Sequence, residues 1–240
     1  MKKLLLICHL VLSMFALNAE EDDKYVYYNL NSGTGFSEVN LYQNNTTESI
    51  QENIPLEISK GIRTAPGNFL DALVEYLISW TDDDFLKIKS IHDWICTNIA
   101  YDVTAYNRGE IKLTEPLVTL RYGTAVCGGY AMLFNQMAKK AGFESHYVAG
   151  VTKGRSKYAI GPQGIFTRHA WNSVKINERY YLVDVTWDAG YVNNNKFIYS
   201  YSTDFFLTEP DIFVKRHYPN APGWLLIDEF ITIEKFKTLN

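Results

Sequence analysis

Two hydrophobic periods divide the chain. From Pro66 to Ala141 apolar residues recur three and four positions apart, and beyond Gly142 they recur at every second position. The first spacing is that of helices with one buried stripe, and the second is that of strands with one buried face. It predicts a helix over 67–80 carrying Phe69, Leu70, Leu73, Leu77 and Trp80. A second helix over 84–100 turns Phe85, Ile88, Ile91, Trp94 and Ile95 inward, and a third over 127–141 buries Met132 or Leu133, Phe134, Met137 and Ala141. Asp82-Asp83-Asp84 lacks the rest of a calcium loop and serves better as the cap of the second helix, whose first turn favours carboxylates. Gly142 suits the position just past the third helix. Segments 145–152, 169–176, 180–186 and 197–206 read as strands, and the Tyr-, Asn- and Gly-rich stretch 101–123 reads as a loop. There is no internal repeat. Helices followed by strands imply an α+β fold, N-terminal helices packed on an antiparallel sheet.

The first sixty residues lack this order. Lys2 and Lys3 precede the apolar run Leu4 to Leu17, and Asn18-Ala19 precede the acidic run Glu20-Glu21-Asp22-Asp23. That is the layout of an export signal cleaved after Ala19, and the run is short of the roughly 20 residues a membrane span needs. Residues 1–19 are therefore read as a signal peptide, 20–60 as a polar N-terminal extension and 61–240 as one domain. Tyr25-Val-Tyr-Tyr-Asn-Leu30 reads as a strand of the extension. The expected location is secreted, periplasmic or cell-surface, with no integral membrane segment after cleavage.

Charge narrows the partners. The chain carries 23 basic and 27 acidic side chains, a net −4, which becomes −6 once Lys2 and Lys3 are removed. A mildly acidic protein without a basic run is not built to hold a phosphate backbone, so nucleic acid is not an expected partner. Hydrophobic residues at 47% and aromatics at 15% exclude general disorder. Cys8 leaves with the signal, so Cys96 and Cys127 remain. Two cysteines in an exported chain can form one disulfide. Cys96, however, lies on the apolar side of its helix among Ile88, Ile91, Ile95 and Ile99, where a buried inert thiol is expected.

Cys127 is placed differently. It opens the third helix in Tyr122-Gly-Thr-Ala-Val-Cys-Gly-Gly-Tyr130, where unpaired backbone N–H groups and the helix dipole favour a thiolate. Gly128 and Gly129 leave the helix start unobstructed, and the Cys127 N–H can face an oxyanion. A second donor is not identifiable beyond three tyrosines of the preceding loop, Tyr101, Tyr106 and Tyr122. Further on, 169–176 and 179–186 flank a two-residue turn at Asn177-Glu178. Pairing 176 with 179 puts His169 opposite Thr186, with Asp184 a diagonal step away on the same face. The other face then buries Ala170, Val174 and Ile176 against Tyr181, Val183 and Val185. Thiol, imidazole and orienting carboxylate are the parts of a nucleophilic acyl-transfer site. Asp188 is the rival carboxylate. Trp171 shares the His169 face and can shield the site from water. His92 beside Asp93 reads as structural, His146 has no evident partner, and His217 reads as a loop pin without chemistry.

Three blocks resemble the transglutaminase-like superfamily of papain-like cysteine enzymes. They are Lys87-Ile-Lys-Ser-Ile-His-Asp-Trp-Ile95 with Ile99-Ala-Tyr-Asp102; Gly123-Thr-Ala-Val-Cys-Gly-Gly-Tyr-Ala131; and His169-Ala-Trp-Asn172 with Tyr181-Leu-Val-Asp-Val-Thr-Trp-Asp188. His217-Tyr-Pro219 and Trp224-Leu-Leu226 are similar to elements of its bacterial and kyphoscoliosis-peptidase-like branch. The resemblance implies a papain-like, transglutaminase-core fold and places the family's Cys, His and Asp on Cys127, His169 and Asp184. It implies an exported cysteine enzyme acting on amide bonds of proteins or peptides through an acyl-thioester, with peptidase-like hydrolysis favoured over amine transfer. No cofactor and no metal is expected, since the calcium dependence of animal transglutaminases finds no ligand set here. The alternative is a catalytically silent binding or scaffolding module, as some relatives have lost triad members.

Overall fold

A computed structural model describes residue 39, residues 42–43, 47–110, 115–153 and 166–239. The signal peptide and the 25–30 strand expected from the sequence lie outside the described residues.

The first described helices are α1 (Glu48–Glu52) and α2 (Leu56–Thr64). Helix α2 runs across residue 60, where the sequence pattern began the domain. Val39 joins the main core, Tyr42 stacks on Phe85 at 4.7 Å, and buried Thr47 donates to Asp93 at 2.8 Å. Helix α3 (Pro66–Ile78) starts on a proline, whose fixed φ suits a first helical position. It buries Leu70, Leu73, Val74 and Leu77, and Trp80 lies beyond its end, partly exposed. Helix α4 (Asp84–Asn98) is capped by Asp83, whose carboxylate accepts from the Phe85 and Leu86 N–H groups.

Helix α4 is buried on nearly every side. The expected apolar stripe is inward, and so are Lys89, Ser90, His92, Asp93 and Cys96. A buried charge persists only when it is paired, and here every one is. Lys89 Nζ donates to both Asp93 oxygens, at 2.8 and 2.7 Å, and to Tyr201 Oη at 2.6 Å.

The stretch 101–123, expected to be a loop, contains structure. Strand β1 (Ala100–Tyr101) pairs in parallel with β2 (Thr124–Ala125), and helices α5 (Val103–Asn107) and α6 (Pro116–Tyr122) lie between. Both helices have short-range start signals that a periodicity count passes over: Asp102 accepts from the Ala105 N–H, and Pro116 opens α6. Gly123 ends α6 at φ +66°, a left-handed conformation that costs glycine nothing. The chain thereby turns into β2 and then α7 (Cys127–Lys140), which buries Leu133, Phe134 and Met137 and ends near Gly142.

Strands β3 (Ser145–Thr152), β4 (Thr167–Ile176) and β5 (Arg179–Val183) form an antiparallel meander. Asn177 and Glu178 sit at φ +50° and +63° in the turn between β4 and β5, and Ile176 pairs with Arg179 as expected. The expected strand over 180–186 ends at Val183, because Asp184 caps a short helix, α8 (Val185–Ala189). The expected strand over 197–206 is likewise divided. A hairpin of β6 (Gly190–Asn193) and β7 (Lys196–Tyr199) is followed, after a break, by β8 (Phe206–Thr208). After α9 (Pro210–Phe213), strand β9 (His217–Pro219) returns to pair with β3. The sheet order is β8-β5-β4-β3-β9, antiparallel throughout, and helix α10 (Ile233–Thr238) closes the described chain.

The helices cover one face of the sheet and form the larger core. A smaller cluster of Val148, Trp171, Leu182 and Phe213 covers the other. Gly150 in β3 sits between His169 on β4 and Pro219 on β9. A β-carbon there would overlap the Tyr218 carbonyl and the Trp171 ring, so only glycine admits β9 this close. The fold is the α+β arrangement expected from the sequence, with helices packed on an antiparallel sheet. Among the described residues, no helix is long and apolar enough to cross a membrane.

Candidate active site

Cys127 is the first residue of α7. The parallel β1–β2 pair leads the chain to it, with the Ala100 and Asp102 N–H groups donating to the Gly123 and Ala125 carbonyls, each at 2.8 Å. No side chain caps α7, and while the Gly129 N–H donates to the Val126 carbonyl, the Cys127 and Gly128 N–H groups remain available to a ligand. Tyr130, one turn on, donates through its hydroxyl to the Ile99 carbonyl at 2.5 Å. Asn172 Nδ2 donates to the Ala131 carbonyl at 3.0 Å, tying α7 to the strand that carries His169.

Asp184 sits at the junction of β5 and α8 and uses both carboxylate oxygens. Oδ1 accepts from the Thr186 and Trp187 N–H groups, at 3.0 and 3.1 Å, as the helix cap. Oδ2 accepts from His169 Nε2 at 2.6 Å and from His217 Nε2 at 3.0 Å. The β4–β5 ladder stops at Asn172 and Val183. His169 and Asp184 therefore do not meet as a cross-strand diagonal pair. The turn into α8 swings the carboxylate under the ring, and the side of the sheet is the one the register predicts. Cys127 lies near enough to the same imidazole to favour its charged form. Since Nε2 is occupied by Asp184, Nδ1 is the nitrogen left for the thiol.

The electrostatics follow the geometry. Burial opposes the charged imidazole of His169, but the Asp184 carboxylate outweighs it, helped by Cys127, and the pKa rises to about 10. Burial also opposes the Asp184 anion, yet the charge and hydrogen bond of His169, with those of His217, hold the carboxyl well below its usual range. His217 goes the other way. Burial among aromatic rings and the neighbouring His169 charge take it down to about 4, against the pull of Asp184.

A cleft of about 660 Å³ opens beside these residues, and of the three His169 forms part of its lining. Tyr101, Tyr106 and Arg168 contribute to it, with Trp187 of α8 and Tyr191 and Val192 of β6. Burial, with the nearby Cys127, raises the Tyr101 pKa, so its hydroxyl stays protonated and able to donate. Tyr122, the third tyrosine considered as an oxyanion donor, is 71% exposed and is not part of the lining.

The other expectations sort themselves by partner. Asp188 pairs with His92 Nε2 at 3.0 Å and accepts from Ser202 Oγ at 2.8 Å, so it is not the carboxylate of His169. His92 also donates through Nδ1 to Asp93 at 2.8 Å and is structural. Cys96 is free and fully buried, and its thiol donates to the Val185 carbonyl at 3.3 Å. Cys127 is free as well. Trp171 is buried, 6.2 Å from the His169 ring. His146, expected to lack a partner, meets Glu144 at 3.1 Å and packs on Trp224. His217, read as a loop pin, is instead a member of the cluster. Its signal in the sequence was only the His-Tyr-Pro word, because its partner is 33 residues away. His169, Asp184 and His217 also place one ligand atom each within 4.8 Å of one another, a two-histidine, one-carboxylate set that could hold a metal ion. Their hydrogen bonds already satisfy those atoms.

Residues 71–185 match the model of the transglutaminase-like superfamily. Kyphoscoliosis peptidase of Homo sapiens is 35% identical over 172 residues, which is 70% of this chain and 26% of that protein, and the Mus musculus protein gives the same figures. Hillarin of Drosophila melanogaster is 25% identical over 184 residues, 70% of this chain and 22% of hillarin. The chain thus spans about a quarter of the length of these relatives. A solved TGase structure shares 19% identity at a TM-score of 0.41, over 72% of this chain and 43% of that one. The matched core at 71–185 and the 35% identical relatives support the transglutaminase-like superfamily for this chain.

Proposed function

We propose that this chain is a thiol-dependent acyl-transfer enzyme acting on amide bonds of proteins or peptides, with Cys127 as nucleophile, His169 as general base and acid, and Asp184 as the orienting carboxylate. The observation that carries this reading is the His169–Asp184 pair, hydrogen-bonded beside Cys127 at the wall of a cleft. With His169 held charged by Asp184, the proton of Cys127 rests on His169 Nδ1 and the sulfur attacks the amide carbonyl. The tetrahedral oxyanion is held by the first-turn N–H groups of α7, with Tyr101 as the second donor. The carbon–nitrogen bond then breaks, the imidazolium returns its proton to the departing amine, and an acyl-thioester remains. Water, deprotonated by His169, attacks the thioester and releases the acid and the free thiol. A primary amine in place of water would yield a new amide.

Hydrolysis is the favoured outcome, in line with the peptidase names of the 35% identical relatives. The reading includes export through residues 1–19, supported by the basic, apolar and acidic succession there. The test is incubation of the reduced protein with a peptide mixture, with and without a primary amine, followed by mass analysis. Cleaved peptides, absent with Cys127→Ser, are expected. Amine adducts without cleavage would replace hydrolysis by transfer. No turnover and no thiol labelling by an electrophilic amide probe would leave a binding module.

A further inference from the structure

One buried group of the cluster has no part in that chemistry. His217 lies on the edge strand β9, opposite Thr152 of β3, and is 1% exposed. Its ring stacks on Phe213, 3.9 Å between centroids and 25° between planes. Trp171 meets it edge-on at 5.0 Å, Trp187 lies at 4.5 Å and Phe205 at 5.4 Å. A ring enclosed on this many sides has one orientation, and that orientation sends Nε2 to Asp184 Oδ2 at 3.0 Å. The titratable groups facing it are Asp184 and His169. An apolar box next to a second imidazole disfavours the charged ring, so the contact is made by a neutral N–H.

Neutrality matters to the neighbour. A cation at this position would cancel much of the Asp184 charge and weaken the pull of that carboxylate on His169. A neutral donor fixes the oxygen without discharging it. Oδ1 is already fixed by the α8 cap, so the His217 bond completes the restraint of the carboxylate. We propose that His217 is a positioning residue that holds Asp184 Oδ2 in line with the His169 ring as an uncharged hydrogen-bond donor. The proposal rests on the Cys127–His169–Asp184 reading above.

The test compares His217→Leu, which fills the box without a donor, with His217→Asn, which keeps one. In His217→Leu, kcat is expected to fall about 10- to 100-fold, the range for groups that orient a site from behind, with KM within about two-fold by the same logic of lost transition-state orientation. His217→Asn should recover most of the loss, and the imidazole limb of the pH–rate profile should move in His217→Leu. Unchanged kcat and profile in folded His217→Leu would overturn the role and leave a packing residue. If Asp184→Asn is also fully active, the three-residue reading itself fails. If Asp184→Asn is inactive while His217→Leu is not, only the present proposal fails.

A nitrogen-15 spectrum of the wild-type protein at neutral pH decides the case should His217→Leu not fold. A neutral His217 ring protonated on Nε2 is expected, and an imidazolium or an Nδ1-protonated ring would overturn the proposal. So would activity abolished by a chelator and restored by zinc, which would make His217 a ligand.

Discussion

Cys96, His92 and Asp188 form one group beside α8, and Cys127, His169 and Asp184 form another. The two groups contain the same three residue types, and their carboxylates stand one helical turn apart, the Asp188 N–H donating to the Asp184 carbonyl at 3.1 Å. They are placed oppositely. Cys96 sits in the last turns of α4, its thiol committed to a carbonyl and pushed up to about 11 by burial. Cys127 opens α7 with an uncapped first turn. His92 spends both ring nitrogens on carboxylates, Asp93 and Asp188, whereas His169 keeps one nitrogen for the thiol and borders a cleft. The same side chains thus make a sealed strut in one place and an open reaction centre in the other. Which end of a helix, and which ring nitrogen remains free, separates the two.

Exchanging the roles should be impossible. Cys127→Ala is expected to cut kcat by at least about 10⁴-fold, as loss of a nucleophile does, while Cys96→Ala leaves turnover of the folded protein unchanged; steady-state kinetics on both variants measures this. Asp184→Asn keeps the oxygen that caps α8 but offers an amide to two imidazoles. A fall in kcat of about 10²- to 10⁴-fold is expected, and histidine titration by NMR should find the His169 pKa lowered.

On the sealed side the loss is in stability. Asp93→Ala strands Lys89, a buried ammonium that among the described residues is left with the Tyr201 hydroxyl as its hydrogen-bond partner. It should cost about 3–5 kcal/mol in urea denaturation. The smallest effect separates the two sides by pH. His217 is depressed to about 4 in the folded chain, so unfolding takes up a proton below its ordinary value of 6.5. Its stability is present above pH 6.5 and is lost as pH falls towards 4, a matter of up to about 3 kcal/mol. His169, raised to about 10, stabilises below pH 6.5 and loses that contribution as pH rises towards 10. Denaturation midpoints at pH 4, 5.5 and 7 should fall with acid in the wild type and flatten in His217→Asn.

Much of this arrangement was legible in the sequence where a period or a cap carries it. β3 runs over the expected residues, α4 and α7 differ from expectation only at their C-terminal ends, and the 177–178 turn sets the expected register. Periodicity fails where a single residue changes the chain's course. Asp184 ends a strand by capping a helix, and nothing between Val183 and Val185 announces that. Helices α5 and α6 are too short to repeat. Lys89, His92 and Asp93 have the composition of a solvent-facing side, and only tertiary partners such as Thr47 and Tyr201 reveal it as interior. His217 escaped for the same reason, since the contact that defines it spans the sheet.

Gly150 carries a consequence for the chemistry that its own lack of a side chain conceals. It is the spacer that lets the outermost strand nestle against β3, and that strand delivers an imidazole to the carboxylate beneath His169. A methyl group added there would push β9 outward, lengthening the His217–Asp184 contact before touching any reacting atom. The proton affinity of the base would then be retuned by a residue that has no functional group at all.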